Sequence, residues 1–311
     1  MELHSPPTGA RRRRVTMAAA MTAALFAALT GASVGSATPA LASTVPVATV
    51  VGPNSAFDST PEKTTIAPCP AGQRVLGGGV RVNQGNDHII ITRQEPVHAL
   101  DTGLDSFVVT AVEDSVGTTN TWALQAYAVC SPPVAGMVLV AKVGPTDSQG
   151  FQGVSASCPA NTFVLGAGGR ILDGQGHVGL VTQVNGSATF PNGVNAGGIE
   201  ELGTPDANGR FPGFKGNWSV IAFAVCAPKV LSTDVEVVRV QPAGDETNPK
   251  IIAAPCPAGK HVTGGTGWAD LPAVVNSVNI DANRTRVQVI DRKHEQLAGN
   301  WGGFAMAICW A

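Results

Sequence analysis

The chain is poor in several things at once. Tyr127 is its one tyrosine in 311 residues, and only 14% of the residues are charged. Lys and Arg together number 20 against 22 Asp and Glu. No basic surplus exists to neutralise a phosphate backbone, so nucleic acid is excluded as a partner class. No polybasic segment for anionic lipid follows Arg14. Beyond about Val34 no apolar run is long enough to span a bilayer as a helix. Catalytic and metal-binding signatures are missing too. H-E-x-x-H does not occur. The single G-x-S-x-G match, Gly31-Ala32-Ser33-Val34-Gly35, lies in the N-terminal apolar stretch, and Gly153-Val154-Ser155-Ala156-Ser157 lacks the closing glycine. The later histidines (His88, His98, His177, His261, His294) read as occupying non-equivalent places. No Asp-rich calcium loop is present, and Asp173-Gly174-Gln175-Gly176 reads as a turn. A noncatalytic protein with no cofactor and no metal is the expectation.

What the chain has begins with an export signal. Arg11 to Arg14 form a positive region, an Ala-rich apolar stretch runs from Val15 to about Val34, and Thr38-Pro39-Ala40-Leu41-Ala42 is a small-residue cleavage site. That order predicts a secretory signal peptide over 1–42. Arg13-Arg14 hints at twin-arginine export, which Val15-Thr16-Met17 fits poorly. Four of the basic residues and one of the acidic ones lie in 1–42, so the mature chain carries a net charge of −5. A secreted protein is expected, possessing no membrane span once the signal is removed.

Two motifs then recur three times in strict alternation. The first is Cys69-Pro70-Ala71-Gly72 with Val75-Leu76-Gly77-Gly78-Gly79. It returns as Cys158-Pro159-Ala160-Asn161 with Val164-Leu165-Gly166-Ala167-Gly168, and as Cys256-Pro257-Ala258-Gly259 with Val262-Thr263-Gly264-Gly265. The second runs from Trp122 to Cys130, from Trp218 to Cys226 and from Trp301 to Cys309, each as W-x-x-x-A-x-A-x-C. Val51-Gly52-Pro53, Val143-Gly144-Pro145 and Val240-Gln241-Pro242 precede each first cysteine. Modules over 46–135, 136–230 and 231–311 follow. Period-two alternation places Trp122, Leu124, Ala126, Ala128 and Cys130 on one face, and the opposite face is also largely apolar, as in a central strand. Further strands are expected at His88–Thr92, Phe107–Glu113, Val178–Val184 and Arg286–Ile290. Turn signals at Asn83-Gln84-Gly85-Asn86, Pro191-Asn192-Gly193 and Asp206-Ala207-Asn208-Gly209 separate them. The expected fold is all-β, with four or five strands per module. Short linkers such as Ser131-Pro132-Pro133 and Ala227-Pro228-Lys229 favour modules packed together with pseudo-threefold symmetry over beads on a string. The glycine runs lack the helix and Lys-Ser/Thr of a phosphate loop, so they imply a bulge or the close approach of a neighbouring strand.

Six cysteines, two per module, in an exported chain imply disulfides. Treating the repeats alike leaves two symmetric sets: Cys69–Cys130, Cys158–Cys226 and Cys256–Cys309 within modules, which is favoured, or a cyclic linkage between modules such as Cys130 to Cys158, which also needs Cys309 to reach Cys69. More than 50 residues separate the partners, which is unlike zinc spacing.

Candidate binding residues are few. Trp122, Trp218 and Trp301 sit at matching places and read as core. Trp268 and Trp310 lie outside that pattern. Module two carries an insert, about Gly186 to Asn217, rich in Gly, Pro and Asn, with Phe190, Phe211 and Phe214. An unstructured segment of that length is often functional. Phe190, Phe211, Phe214 and Trp268 are therefore the candidate ligand contacts, with packing of the phenylalanines onto their own sheet as the alternative.

The motif pair C-P-x-G-x-x-V-L-G-G-G and W-x-x-x-A-x-A-x-C, with the Arg-led signal, resembles secreted β-repeat proteins of high-GC Gram-positive bacteria. The resemblance covers Val47 to Ala311, with departures at Asn161, Ala167, Thr263 and Thr266. It implies architecture and export, and it implies no activity or site residue. The expected function is noncatalytic binding in the extracellular space or cell envelope, with wall polysaccharide as ligand class. The alternatives are an envelope assembly component acting through protein contacts and, behind it, an inhibitor of an extracellular enzyme. The partner is thus a glycan or an extracellular protein.

Overall fold

The computed structural model describes residues 45–85, 88–99, 104–201, 213–229, 234–270, 273–290 and 300–311, without the side chains of Phe190 and Ile290. The expected signal peptide lies outside them. Residues from Ser43 onward form one compact unit. Its described secondary structure is essentially all β.

Each third of the chain supplies six strands, a correction to the expected four or five. The first third has β1 (Ala48–Asn54), β2 (Glu62–Pro68), β3 (Arg74–Gln84), β4 (Ile89–Val97), β5 (Ser106–Glu113) and β6 (Trp122–Ser131). The second has β7 (Val138–Val143), β8 (Phe151–Ser157), β9 (Thr162–Leu172), β10 (Val178–Ser187), β11 (Phe190–Glu200) and β12 (Ser219–Pro228). The last has β13 (Glu236–Val240), β14 (Lys250–Pro255), β15 (His261–Ala269), β16 (Val274–Asp281), β17 (Arg284–Ile290) and β18 (Gly303–Trp310). The strands not foreseen include β2, β8 and β14. Their inward faces open on polar residues (Lys63 and Thr65, Gln152, Lys250) that are nonetheless buried, ahead of Ala67, Ala156, Ile252 and Ala254, which hides the alternation from a hydrophobicity pattern. The first part of the insert expected in module two, residues 186–187 and 190–200, is strand. β10 and β11 form a long hairpin in which Ser187 faces Phe190, and Pro191-Asn192-Gly193, read as a turn, lies inside β11. The rest of that insert up to residue 212 lies outside the described residues, as does the turn signal at 206–209.

Hydrogen bonding groups the strands into four sheets, in the orders β1-β6-β3-β16-β17-β14, β10-β11-β8, β2-β5-β4-β9-β12-β7 and β13-β18-β15. The expected threefold set is therefore not what the ladders form. Two inter-module junctions are laddered, β3 with β16 through Val80 and Val278, and β4 with β9 through Arg93–Arg170 and Gln94–Gly169. β10 and β15 lie side by side without a recorded ladder. Within each third the pairing order is the same. The Trp-to-Cys strand is central, flanked by the first and third strands. In β6 one face, Trp122, Leu124, Ala126, Ala128 and Cys130, is fully buried, whereas the other is buried at Ala123 and Val129 and only half-buried at Gln125 and Tyr127, a correction to the expected burial on both sides.

The glycine runs do both things expected of them. The ladders of β3, β9 and β15 with their central strands each skip one residue, Leu76, Leu165 and Thr263. The next residues, Gly77, Gly166 and Gly264, come together in the interior. A Cβ on Gly166 would overlap the carbonyl oxygen of Leu76, one on Gly77 would press on that of Thr263, and one on Gly264 would lie 3.1 Å from Cα of Gly166. Backbones this close leave no room for any side chain.

The disulfides are Cys69–Cys130, Cys158–Cys226 and Cys256–Cys309. They close loops of 61, 68 and 53 residues, and a chain-entropy treatment gives each about 4 kcal/mol as an upper figure. Three disulfides fit an oxidising compartment. Among the described residues no helix is long and apolar enough to cross a membrane.

Candidate functional site

The outer face of the sheet β1-β6-β3-β16-β17-β14 carries a groove of about 1490 Å³ where the first and last thirds of the chain meet. Its floor follows from register. Gln125 faces Arg81 across β6 and β3, Ser277 faces Gln288 across β16 and β17, and Gln288 faces Ile251 across β17 and β14. Val51 faces Tyr127, Tyr127 faces Gly79, and Asn279 faces Arg286. Side chains alternate along a strand, so these residues share the outward face. Exposed Val51, Phe57 and Ile251 border the floor.

The groove is mixed in character, and its lining carries two arginines, Arg81 and Arg286, against one aspartate, Asp281. Asn83, Gln84, Asn279 and Gln288 offer amide donors and acceptors. The Tyr127 hydroxyl donates to Gln125 Oε1 at 3.2 Å, and Asn83 Nδ2 donates to Asn54 Oδ1 at 3.0 Å. Asp281 pairs with Arg284 at 3.1 Å and Arg286 at 3.4 Å. Arg81 is exposed and has no ion-pair partner among the described residues. Asn279 Oδ1 and Asp281 Oδ1 accept no hydrogen bond from the protein, although both atoms are shielded.

Of the sequence candidates, Trp268 and Phe214 lie away from this groove. Trp268 is half-buried on β15, 5.9 Å from the Phe151 ring and 6.2 Å from that of Phe304, with Arg239 over Phe304 at 3.9 Å. Phe214 is elsewhere. Its ring stacks on His177 at 4.7 Å and its N–H donates to Glu200 Oε2 at 3.2 Å, which holds the end of the insert against the body. Phe190 begins β11, its side chain lying outside the description, and Phe211 lies outside the described residues. The groove residues were missed because polar residues on a strand look like ordinary solvent-facing positions. One signal was present: the W-x-x-x-A-x-A-x-C motif carries Tyr127 where its copies carry Phe223 and Met306.

Two polar constellations were also missed. Asp58, Asp147 and Asp245 each bridge, backbone to backbone, the tryptophan that opens the central strand, namely Trp122, Trp218 and Trp301. Each aspartate Oδ1 accepts the N–H two residues on, from Thr60, Gln149 or Thr247. Lys63 and Lys250, both buried, pair with Asp58 and Asp245 and sit 4.8 and 4.4 Å over the rings of Trp122 and Trp301. Gln152 takes that place in the second third, donating to Asp147 Oδ1 at 2.7 Å. The hydrogen bond from Lys63, with that from Thr60, lowers the Asp58 carboxyl to about 2, and Lys250 lowers Asp245 likewise. The underlying pattern, D-x-[TQ]-x-x-[KQ], recurs three times.

The second constellation corrects the reading of the histidines. His88 and His177 are equivalent, each one residue before its strand. Their Nδ1 atoms lie 3.1 Å from Asp114 and 3.2 Å from Glu201. The adjoining Glu113 and Glu200 accept from Trp122 Nε1 at 3.2 Å and Trp218 Nε1 at 2.7 Å. These carboxylates also accept backbone N–H groups: Glu113 from Thr118, Asp114 from Val116 and Gly117, Glu200 from Phe214, Glu201 from Ser115. They tie loops to strand ends, and the tryptophan donor is satisfied on burial. Among the described residues no group of His, Cys, Asp and Glu is arranged to hold a metal ion.

No family model matches the chain, and comparison with curated proteins finds no relative.

Proposed function

We propose that this chain is an exported, noncatalytic binding protein of the cell envelope or extracellular space, and that its ligand is an uncharged polysaccharide lying in the groove on β1-β6-β3-β16-β17-β14. The observation that carries the reading is the composition of that groove. Sugars present hydroxyls that donate and accept, which amides match from either side, and apolar ring faces, which Tyr127 and Phe57 can cover. Its lining carries Arg81 and Arg286 against Asp281, and Asp281 pairs with Arg286, so among the described residues there one free cation stands amid mostly uncharged polar groups, a setting suited to a neutral chain. Its volume exceeds the usual 300–1,000 Å³ or so of small-molecule pockets, as an extended chain requires. The signal sequence and the disulfides support export.

We also read the architecture as three copies of one module about a pseudo-threefold axis. The meeting of Gly77, Gly166 and Gly264, the equivalent bulges and the identical pairing order in each third support it.

The test is retention of the mature, oxidised protein on purified cell walls, chitin and cellulose at low and high salt. Salt-resistant retention, competed by soluble fragments of the same glycan and lowered about tenfold by Tyr127→Ala, is the expected result. Absence of retention on every glycan would overturn the reading.

A second reading has one observation in its favour. β7 is the free edge of its sheet and exposes Val138 and Val143, at 40% and 55%. An unprotected apolar edge strand can add a strand from a partner, as an assembly component of the envelope would need.

A further inference from the structure

We infer that the chain has a second groove for the same uncharged polysaccharide, at the junction of β4 with β9, and that one molecule therefore joins two polysaccharide chains. This rests on the reading above and extends it to a separate surface.

A cleft of about 520 Å³ lies on the sheet β2-β5-β4-β9-β12-β7. Register shows it to be the counterpart of the first groove. Counted from the central glycine of each run, Arg170 on β9 stands where Arg81 stands on β3, and Ile171 where Val82 stands. The neighbouring strands continue the match. Arg170 faces Arg93, Arg93 faces Thr110 and Thr110 faces Thr64, as Ser277 faces Gln288 and Gln288 faces Ile251 in the first groove. The skipped residues Thr92 and Asn276 line one groove each. So do Asp173 and Gln84, which share a left-handed backbone at φ 61° and 62°. Seven lining positions thus coincide.

The chemistry is of the same kind. Thr64, Thr92 and Thr110 supply hydroxyls where the first groove has amides and an apolar border. Glu95 lies 2.5 Å from Arg93 and 3.9 Å from Arg170, and with Glu62, Glu113 and Asp173 in the lining the acids outnumber the two arginines. An anionic polymer is disfavoured in this cleft, a neutral one is not.

The third junction, between β10 and β15, shows what a closed version looks like. Trp268 replaces the arginine, four residues after Gly264. Gly153 and Gly197 replace Thr64 and Thr110 and face each other. The Phe151 ring lies over both, within 3.7 Å and 3.2 Å of where their side chains would begin, and leans on Trp268. The protein fills this face with its own side chains. Two open grooves on separate sheets remain, enough for bridging and for a gain from effective concentration on a polymer surface.

The experiment mixes the full mature protein with particles of sacculi, chitin or cellulose, scoring retention and particle agglutination together. The key variant is Thr64→Trp, an exposed edge-strand position where added bulk closes the second groove as Phe151 closes the third. The expected result is that the wild type is retained and agglutinates, while Thr64→Trp is retained but agglutinates at least tenfold less well. A second variant, Arg93→Gln with Arg170→Gln, is expected to do the same, its fold checked by an unchanged melting curve. A wild type that is retained without agglutinating, or a Thr64→Trp variant that agglutinates like the wild type, overturns the second groove and leaves the first. Failure of the wild type to be retained at all overturns both readings.

Discussion

Gly77, Gly166 and Gly264 are the same residue three times, and four positions further along the same strands the chain has Arg81, Arg170 and Trp268. The glycines face other backbones, and the later residues face solvent or a groove. The same strand is thus held fixed at one point by sterics and left open to variation at another. That contrast separates what builds the fold from what can distinguish one face from the next. It also explains how one architecture presents an amide-lined groove, an arginine- and threonine-lined cleft and an aromatic plug.

The sharpest way to break the contrast is to place a side chain at the meeting of the glycines. Gly166→Val would drive Cγ and Cβ atoms into the Leu76 carbonyl, with backbone on the other side and nowhere to move. A loss of about 4 kcal/mol or more is expected, the range reached by severe overpacking or backbone strain, read as failure to give a cooperative urea transition. Arg81→Val, on an equivalent strand but exposed, should stay within about 0.5 kcal/mol of the wild type. A stable Gly166→Val variant would mean that the three backbones do not meet.

Next in size is a contrast between thirds of the chain. Lys63 and Lys250 lock Asp58 and Asp245 as charged partners, whereas Gln152 holds Asp147 by a neutral donor. The folded Asp58 carboxyl is held at about 2, below the roughly 3.9 of an unfolded aspartate. The stabilisation it brings is fully present above about pH 4 and is lost as pH falls toward 2. Lys63→Met should therefore lower stability at pH 5, and its deficit against the wild type should shrink on acidification to pH 2. Gln152→Met should show a deficit that varies less over the same range. Urea unfolding at pH 5, 4, 3 and 2 measures both, and a Lys63→Met deficit independent of pH would remove the charged lock.

Much of this architecture was legible beforehand. Two motifs repeated in order were enough for the all-β class and the cysteine pairs, because a repeat leaves few self-consistent pairings. The fully buried face of β6 followed from the apolar alternation after Trp122, while Gln125 and Tyr127 leave its other face half-buried. The strands β2, β8 and β14 were not legible, since their buried face carries Lys63, Thr65, Gln152 and Lys250. A buried lysine makes sense only once Asp58 and the Trp122 ring are seen around it. Pro191-Asn192-Gly193 misled because local turn propensity yields to the long β10–β11 ladder. The groove escaped notice because it is assembled from thirds of the chain nearly 200 residues apart, as in the bond from Val82 N–H to Ser277 Oγ at 3.2 Å. Trp268 stood out by type and proved to belong to the closed junction, so conspicuous aromatics pointed away from the open grooves.

The closed junction can be tested against the open ones by removing its plug. Phe151 is 51% exposed, so Phe151→Ala should cost only about 1 kcal/mol, less than the 3–5 kcal/mol or so of a buried phenylalanine. Trp268 would lose the ring leaning on it, and tryptophan emission should move to longer wavelength, since Trp122, Trp218, Trp301 and Trp310 are buried. An unchanged spectrum would show that Phe151 does not shield Trp268.

The smallest effect concerns a group that belongs to neither kind of face. His98 is nearly buried beside Val75 and Asp105, with Nε2 3.1 Å from the Val75 carbonyl oxygen. Burial lowers its pKa, outweighing the Val75 carbonyl and Asp105, which raise it. A carbonyl only accepts, so Nε2 carries a proton in either form of the ring, and burial is what favours the neutral form. The sign follows from that preference. Above about pH 6.5 the ring is neutral folded or unfolded, and the stability is fully present. As pH falls below that value the unfolded chain takes up a proton first, and stability declines until the folded ring titrates as well. A pH titration followed by long-range ¹H–¹⁵N spectra should place the His98 midpoint below that of a free histidine, with the neutral ring protonated at Nε2. A midpoint above it would mean that Asp105, 3.8 Å away, prevails over burial at this position.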